Sequence, residues 1–133
     1  MVFQRVFFGI GLTEYAFKPL KHARSDAASV SNEFENLGYK TMTAFDIKKK
    51  EGILERLGEL QNYIGETTEI IMVYFAGHAV TTSKGVFLLL GSAERFDDET
   101  EGAGIHVAVL LDHLLCLKSA KDAVVVLFLD CCR

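Results

Sequence analysis

Residues 69–79 run Glu69-Ile70-Ile71-Met72-Val73-Tyr74-Phe75-Ala76-Gly77-His78-Ala79. Glu69 to Phe75 is a short hydrophobic run rich in β-branched and aromatic side chains. It is too short for a buried helix and reads as an internal strand. Ala76-Gly77-His78-Ala79 breaks the pattern and is expected to end that strand on a histidine. A second apolar run, Ala123 to Leu129, leads into Asp130-Cys131-Cys132-Arg133. The two strongest strands of the chain therefore deliver a histidine and a pair of cysteines.

Upstream, Val2 to Ile10 is a third buried strand that closes on Gly9-Ile10-Gly11, and a loop from Leu12 to Lys21 follows, holding the single proline, Pro19. From His22 to Leu37, Ala23, Ala27, Val30, Phe34 and Leu37 recur at three- and four-residue steps. They form one helix face, and Gly38 stops it. Tyr39 to Phe45 alternates as a strand. Asp46 is placed to cap a helix from Ile47 to Ile64, with an apolar stripe of Ile53, Leu54, Leu57, Leu60 and Ile64. Gly85 to Leu90 is a short strand, Arg95 to Gly104 an acidic, mobile surface loop, and His106 to Leu117 a helix. This alternation predicts an α/β fold with a mainly parallel central sheet and helices on both faces. Reactive groups in such sheets gather at the carboxyl ends of the strands, which brings Gly77-His78 and Asp130-Cys131-Cys132 to one edge.

Composition narrows the function. The chain has 133 residues, 50% hydrophobic and 24% charged, with a net charge of −4. That suits one soluble domain. The longest basic run is Lys48-Lys49-Lys50, so nucleic acid is not an expected partner. No stretch approaches the roughly 18 apolar residues of a membrane span, and the amino terminus lacks the basic start of a signal peptide. Three cysteines, two of them adjacent, do not form a disulfide framework, and a reducing cytoplasm is the expected compartment. No ligand spacing predicts a metal site.

Histidine with cysteine is a chemical pair. The thiolate is the nucleophile, and an imidazole can take the thiol proton and return it to a leaving amine. Either residue alone carries little information. A lone strand-end histidine is most often structural, and a lone cysteine a small buried hydrophobe. Together, at two strand ends and with the histidine 54 residues before Cys132, they match the about-50-residue spacing of one protease class. Backbone N–H groups at Gly77, Ala79 and Cys132 are the candidate oxyanion donors. His22 and His113 are expected on helix surfaces, His106 in a cap or loop, and Cys116 in the core beside Leu111, Leu114 and Leu115.

Val73-Tyr74-Phe75-Ala76-Gly77-His78-Ala79 resembles the Tyr-[Tyr/Phe]-[Ser/Ala]-Gly-His-Gly block of caspase-like cysteine proteases. Leu129-Asp130-Cys131-Cys132-Arg133 resembles the Asp-x-Cys-[His/Arg] block of metacaspases and paracaspases. Leu20-Lys21-His22-Ala23-Arg24-Ser25-Asp26-Ala27-Ala28 is similar to the family's first loop entering its first helix. The resemblance spans nearly the whole chain and implies a three-layer caspase-like fold and an endopeptidase with His78 and Cys132 as its dyad. Cys131 takes the variable, inward-packing place. Asp26 and Asp130 would form the pocket for a basic P1 side chain. The place where true caspases carry an arginine for acidic P1 holds Leu20, with Lys18, Lys21 and Arg24 nearby. Ala79 departs from the family's glycine and would strain a turn that needed positive φ.

The resemblance also implies that residues 1–133 are a large-subunit portion, incomplete at its carboxyl terminus. A small-subunit segment, a homologous chain or a second copy as a homodimer would cover its last strand. Protein or peptide is the expected substrate. No cofactor is expected beyond the Ca²⁺ some metacaspases use. The acidic segment Glu94 to Glu101 reads as a solvated loop, since carboxylates alone make no coordination shell. Two other readings remain at this level. One is a catalytically inactive caspase-like scaffold that pairs with a complete homologue. The other is an unrelated flavodoxin-like binding domain, hinted at by Gly9-Ile10-Gly11.

Overall fold

The computed structural model describes residues 1–97, 102–117 and 122–132. The elements are β1 (Arg5–Gly11), α1 (Ala23–Asn36), β2 (Lys40–Phe45), α2 (Lys50–Leu60), β3 (Ile70–Thr82), β4 (Gly85–Leu89), β5 (Gly104–His106), α3 (Val107–Leu117) and β6 (Val124–Cys132). A single 3-10 turn, Gln61–Tyr63, extends α2. Strands β2, β1, β3 and β6 form a parallel sheet in that order, and β4 and β5 continue it as antiparallel strands from the far end of β3.

The central strands β1 and β3 are buried on both faces, as their unbroken apolar runs require, while Val124 and Phe128 leave one face of β6 exposed. Phe7, Tyr74 and Ala76 face α1 and pack with Ala23 and Ala27. Val6, Phe8, Ile10, Ile71, Val73 and Phe75 face the other way, onto Ile53, Leu57 and Leu60 of α2 and Leu110 and Leu114 of α3. The result is a three-layer arrangement with α1 on one side and α2 and α3 on the other. Helix α1 lies close to the sheet because β1 has no side chain at Gly9 and Gly11, beneath Ala23, Ala27 and Ser31. A Cβ on Gly11 would sit 2.8 Å from the Ala23 carbonyl, and one on Gly9 would sit 2.5 Å from Ser31 Oγ. Gly9-Ile10-Gly11 is therefore a helix-packing device and not a phosphate-binding loop.

Several expectations change. Strand β3 does not end at Ala79. It runs on to Thr82 and turns through Ser83-Lys84 into β4, with Thr82 opposite Gly85 at φ 119°. The β-branched Val80-Thr81-Thr82 favours the continued strand. Asp46 caps no helix. It sits at φ 53° and its Oδ1 accepts from the Thr13 and Glu14 amides, tying the end of β2 to the loop after β1. Helix α2 starts at Lys50, with Lys49 at its N-cap. Leu37 follows α1 as its C-cap and is exposed. Cys116 is exposed, because α3 is apolar around most of its circumference and its periodicity does not reveal which side is core. His106 caps α3 as expected, its Nδ1 accepting from the Ala108 amide at 3.0 Å. His22 stands at the N-cap of α1, and His113 is exposed on α3.

Candidate active site

His78 lies where β3 changes partners. Up to Ala76 it pairs with β1, up to His78 it pairs with β6, and from Ala79 it pairs with β4. In the parallel register the residue opposite His78 is Cys132, the last of β6. Adjacent strands lie about 4.8 Å apart. The two residues singled out from distant parts of the sequence are thus backbone neighbours. Cys131, opposite Gly77, is half-buried and packs against the core on the α2–α3 side, the inward place expected of it.

The imidazole is 2% exposed. It is walled by the rings of Tyr15, Phe17 and Phe96, with centroids 4.6, 5.2 and 5.1 Å away. Its Nε2 lies 2.8 Å from the Lys18 carbonyl. A carbonyl only accepts, so Nε2 carries a hydrogen; in the neutral tautomer that this bond selects, Nδ1 holds the lone pair. That Nδ1 is buried and has no hydrogen-bond partner among the described residues.

Tyr15 escaped notice in the sequence, where Leu12 to Lys21 read as a plain loop. The pair of aromatic residues in Tyr15-Ala16-Phe17 was the available signal. The Tyr15 hydroxyl donates to the Leu89 carbonyl at 2.8 Å and accepts the His78 amide at 3.1 Å. It joins the histidine-bearing strand to β4 in the core. Burial raises the Tyr15 phenol above its ordinary range, although the His78 amide partly offsets this. Gly77 makes this bridge possible: a Cβ there would stand 2.6 Å from the Tyr15 hydroxyl and 2.9 Å from the Phe75 ring. Ala79 lies in extended β3 opposite Leu88, and Asp46 is the sole non-glycine residue at positive φ among those described. The strain expected at Ala79 is absent because the turn that would have caused it is absent.

Asp26, in the first turn of α1, and Asp130, on β6, line one open cleft of about 180 Å³. Ala76 and Gly77 of β3 form its floor, and Leu20 and Lys21 its loop side. Neither aspartate is in an ion pair among the described residues. The Tyr74 hydroxyl donates to Asp130 Oδ2 at 2.7 Å. Burial, and then the Asp130 carboxylate, raise the Tyr74 phenol, so it stays a donor at neutral pH. Arg24 is turned elsewhere, 3.4 Å from Asp46 and over the Phe45 ring. Residues 98–101 of the acidic segment and Arg133 lie outside the described residues. Among the described residues no three metal-ligating side chains converge, and no helix is long and apolar enough to cross a membrane.

No curated protein matches the chain. Among solved structures it is similar to the crystal structure of protein GSU0716 from Geobacter sulfurreducens, at 17% identity and a TM-score of 0.68. That alignment covers 97% of this chain and 50% of the other, so the chain spans half the length of that relative. The likeness is one of fold. The sequence profile of the caspase domain, Peptidase C14, matches residues 7–133, from β1 through the cysteine-bearing strand. The chain belongs to the caspase domain family of cysteine peptidases.

Proposed function

We propose that this chain carries the dyad of a cysteine endopeptidase that cleaves after arginine or lysine, with Cys132 as nucleophile and His78 as its base. The observation that carries the reading is the state of the imidazole. A purely structural buried histidine is expected to satisfy both ring nitrogens. Here the Lys18 carbonyl fixes Nε2–H, while Nδ1 is left unpartnered on the strand next to Cys132. In the proposed reaction Nδ1 takes the Cys132 thiol proton, and the thiolate adds to the carbonyl carbon of the scissile peptide. The imidazolium keeps Nε2–H on Lys18 and gives the Nδ1 proton to the leaving amine as the C–N bond breaks. Water then cleaves the thioester, releasing the acid and restoring the thiol. The His78 amide is engaged by the Tyr15 hydroxyl. The backbone N–H groups of Gly77, Ala79 and Cys132 are the candidate donors to the oxyanion.

The basic P1 preference is supported by charge. Two carboxylates and one lysine line the cleft, and a guanidinium or ammonium ion pairs with the carboxylate excess. Of the alternative acceptors of an acidic P1, Arg24 is held by Asp46 and Phe45, and Lys21 faces two carboxylates in the cleft.

One observation favours the second reading, an inactive scaffold that pairs with a complete homologue. The histidine ring is sealed by Phe17 and Phe96, which keeps a peptide from its edge. Fluorogenic peptides with Arg, Lys or Asp at P1 separate the two readings. They are assayed on the full-length protein with and without Ca²⁺, beside Cys132→Ala and His78→Gln. Turnover after Arg and Lys that disappears in both variants is expected. Turnover after Asp would keep the peptidase and remove the assignment of the cleft. No turnover under any condition would leave the scaffold.

A further inference from the structure

We infer that Tyr74 is a positioning residue for the recognition of a basic side chain, holding the Asp130 carboxylate in place at the cleft. The inference rests on the reading of the cleft as the P1 pocket. Tyr74 projects from β3 on the α1 side of the sheet and is 4% exposed. Its ring stacks on Phe128 of β6, with centroids 5.7 Å apart and planes 14° from parallel. Two residues on, Ala76 stands opposite Asp130, so the Tyr74 hydroxyl reaches the carboxylate across the β3–β6 boundary.

Asp130 itself is exposed near the end of an edge strand. Without a partner, its carboxylate would turn freely, and a bound cation would have to order it. The 2.7 Å bond to Oδ2 comes from a rigid, stacked, buried ring. It fixes one oxygen and leaves the other to a guanidinium or ammonium group. A phenylalanine at 74 would fill the same space, so the hydroxyl, and not the ring, is the part assigned to recognition. Asp26 lies on the same cleft, and among the described residues no hydroxyl donates to it.

The test reads binding and does not depend on turnover. N-acetylarginine methylamide is titrated into the full-length protein by NMR, with N-acetylnorleucine methylamide as an uncharged control of similar length. Asp130→Asn is expected to abolish the preference for arginine. Tyr74→Phe is expected to weaken arginine binding about five- to tenfold, less than a full charge-assisted hydrogen bond because the hydroxyl acts on the ligand only through Asp130, and to leave norleucine unchanged. Asp130→Glu keeps the charge but moves the carboxylate off the hydroxyl. It is expected to weaken arginine binding to a similar degree, and it carries the test if Tyr74→Phe does not fold. Wild-type affinity in both Tyr74→Phe and Asp130→Glu, with Asp130→Asn impaired, would overturn the role of Tyr74 and leave the pocket standing. An equal loss for both ligands in Tyr74→Phe would also overturn it, since that is the effect of general disruption. No arginine preference in the wild type, or an undiminished one in Asp130→Asn, would overturn the pocket itself and the inference with it.

Discussion

A single missing methyl group organises the centre of this molecule. Gly77 leaves room for the Tyr15 hydroxyl, and that hydroxyl spans the His78 amide and the Leu89 carbonyl. Gly77→Ala would press a Cβ onto buried oxygen and ring atoms, and is expected to cost about 1–3 kcal/mol in urea unfolding. Tyr15→Phe keeps the ring but strands a buried donor and a buried acceptor, each worth about 1–3 kcal/mol when left unpaired. The two changes act on the same atoms. Combined, they should cost less than their sum, because the phenylalanine no longer carries the oxygen that the new methyl group strikes. Strict additivity in the double mutant would mean that the Phe75 contact, and not Tyr15, is what keeps residue 77 a glycine.

Helix α3 makes the next test, because its sequence Val-Ala-Val-Leu-Leu-Asp-His-Leu-Leu-Cys-Leu shows no clear polar face. The fold makes the choice: Leu110 and Leu114 are buried, while Leu111 and Leu115 are 36% and 44% exposed. Leu110→Ala should destabilise by about 2–5 kcal/mol, whereas Leu111→Ser should shift the urea midpoint little. Equal costs would mean that the helix is rotated about its axis. The exposed Cys116 follows from the same rotation. Elements that have one apolar stripe and a stop signal were legible in the sequence: α1 lies within one residue of its expected ends, between His22 and Gly38. The placing of Cys132 opposite His78 was legible too, because parallel strands bring their ends together whatever the sequence distance. What could not be seen was long-range. Gly77 looks like punctuation until Tyr15 is placed against it, and Asp46 looks like a helix cap until the loop from Thr13 folds over it. The continuation of β3 past His78 was present in Val80-Thr81-Thr82 but masked by the same glycine.

For the molecule as a whole, the buried phenol of Tyr15 sets an alkaline limit. Its folded pKa lies above the ordinary value of 10.0, mainly through burial. Above that pH the unfolded chain gives up the phenolic proton while the folded chain keeps it, so the unfolded state binds fewer protons and stability falls as pH rises. The contribution is fully present below pH 10 and is lost progressively above it. The slope for one such phenol approaches about 1.4 kcal/mol per pH unit. Tyr74, raised in the same direction, adds to the fall. Urea midpoints measured from pH 8 to pH 11 should be flat at first and then decline, and Tyr15→Phe should decline less steeply although it starts from a lower stability. The site and the fold share this dependence, since the hydroxyl that resists ionisation is the one that holds the His78 amide. If the decline in Tyr15→Phe is as steep as in the wild type, Tyr15 already ionises at its ordinary pH in the folded protein. In that case the bridge from β3 to Leu89 is open to water, and the imidazole is not held by a sealed core.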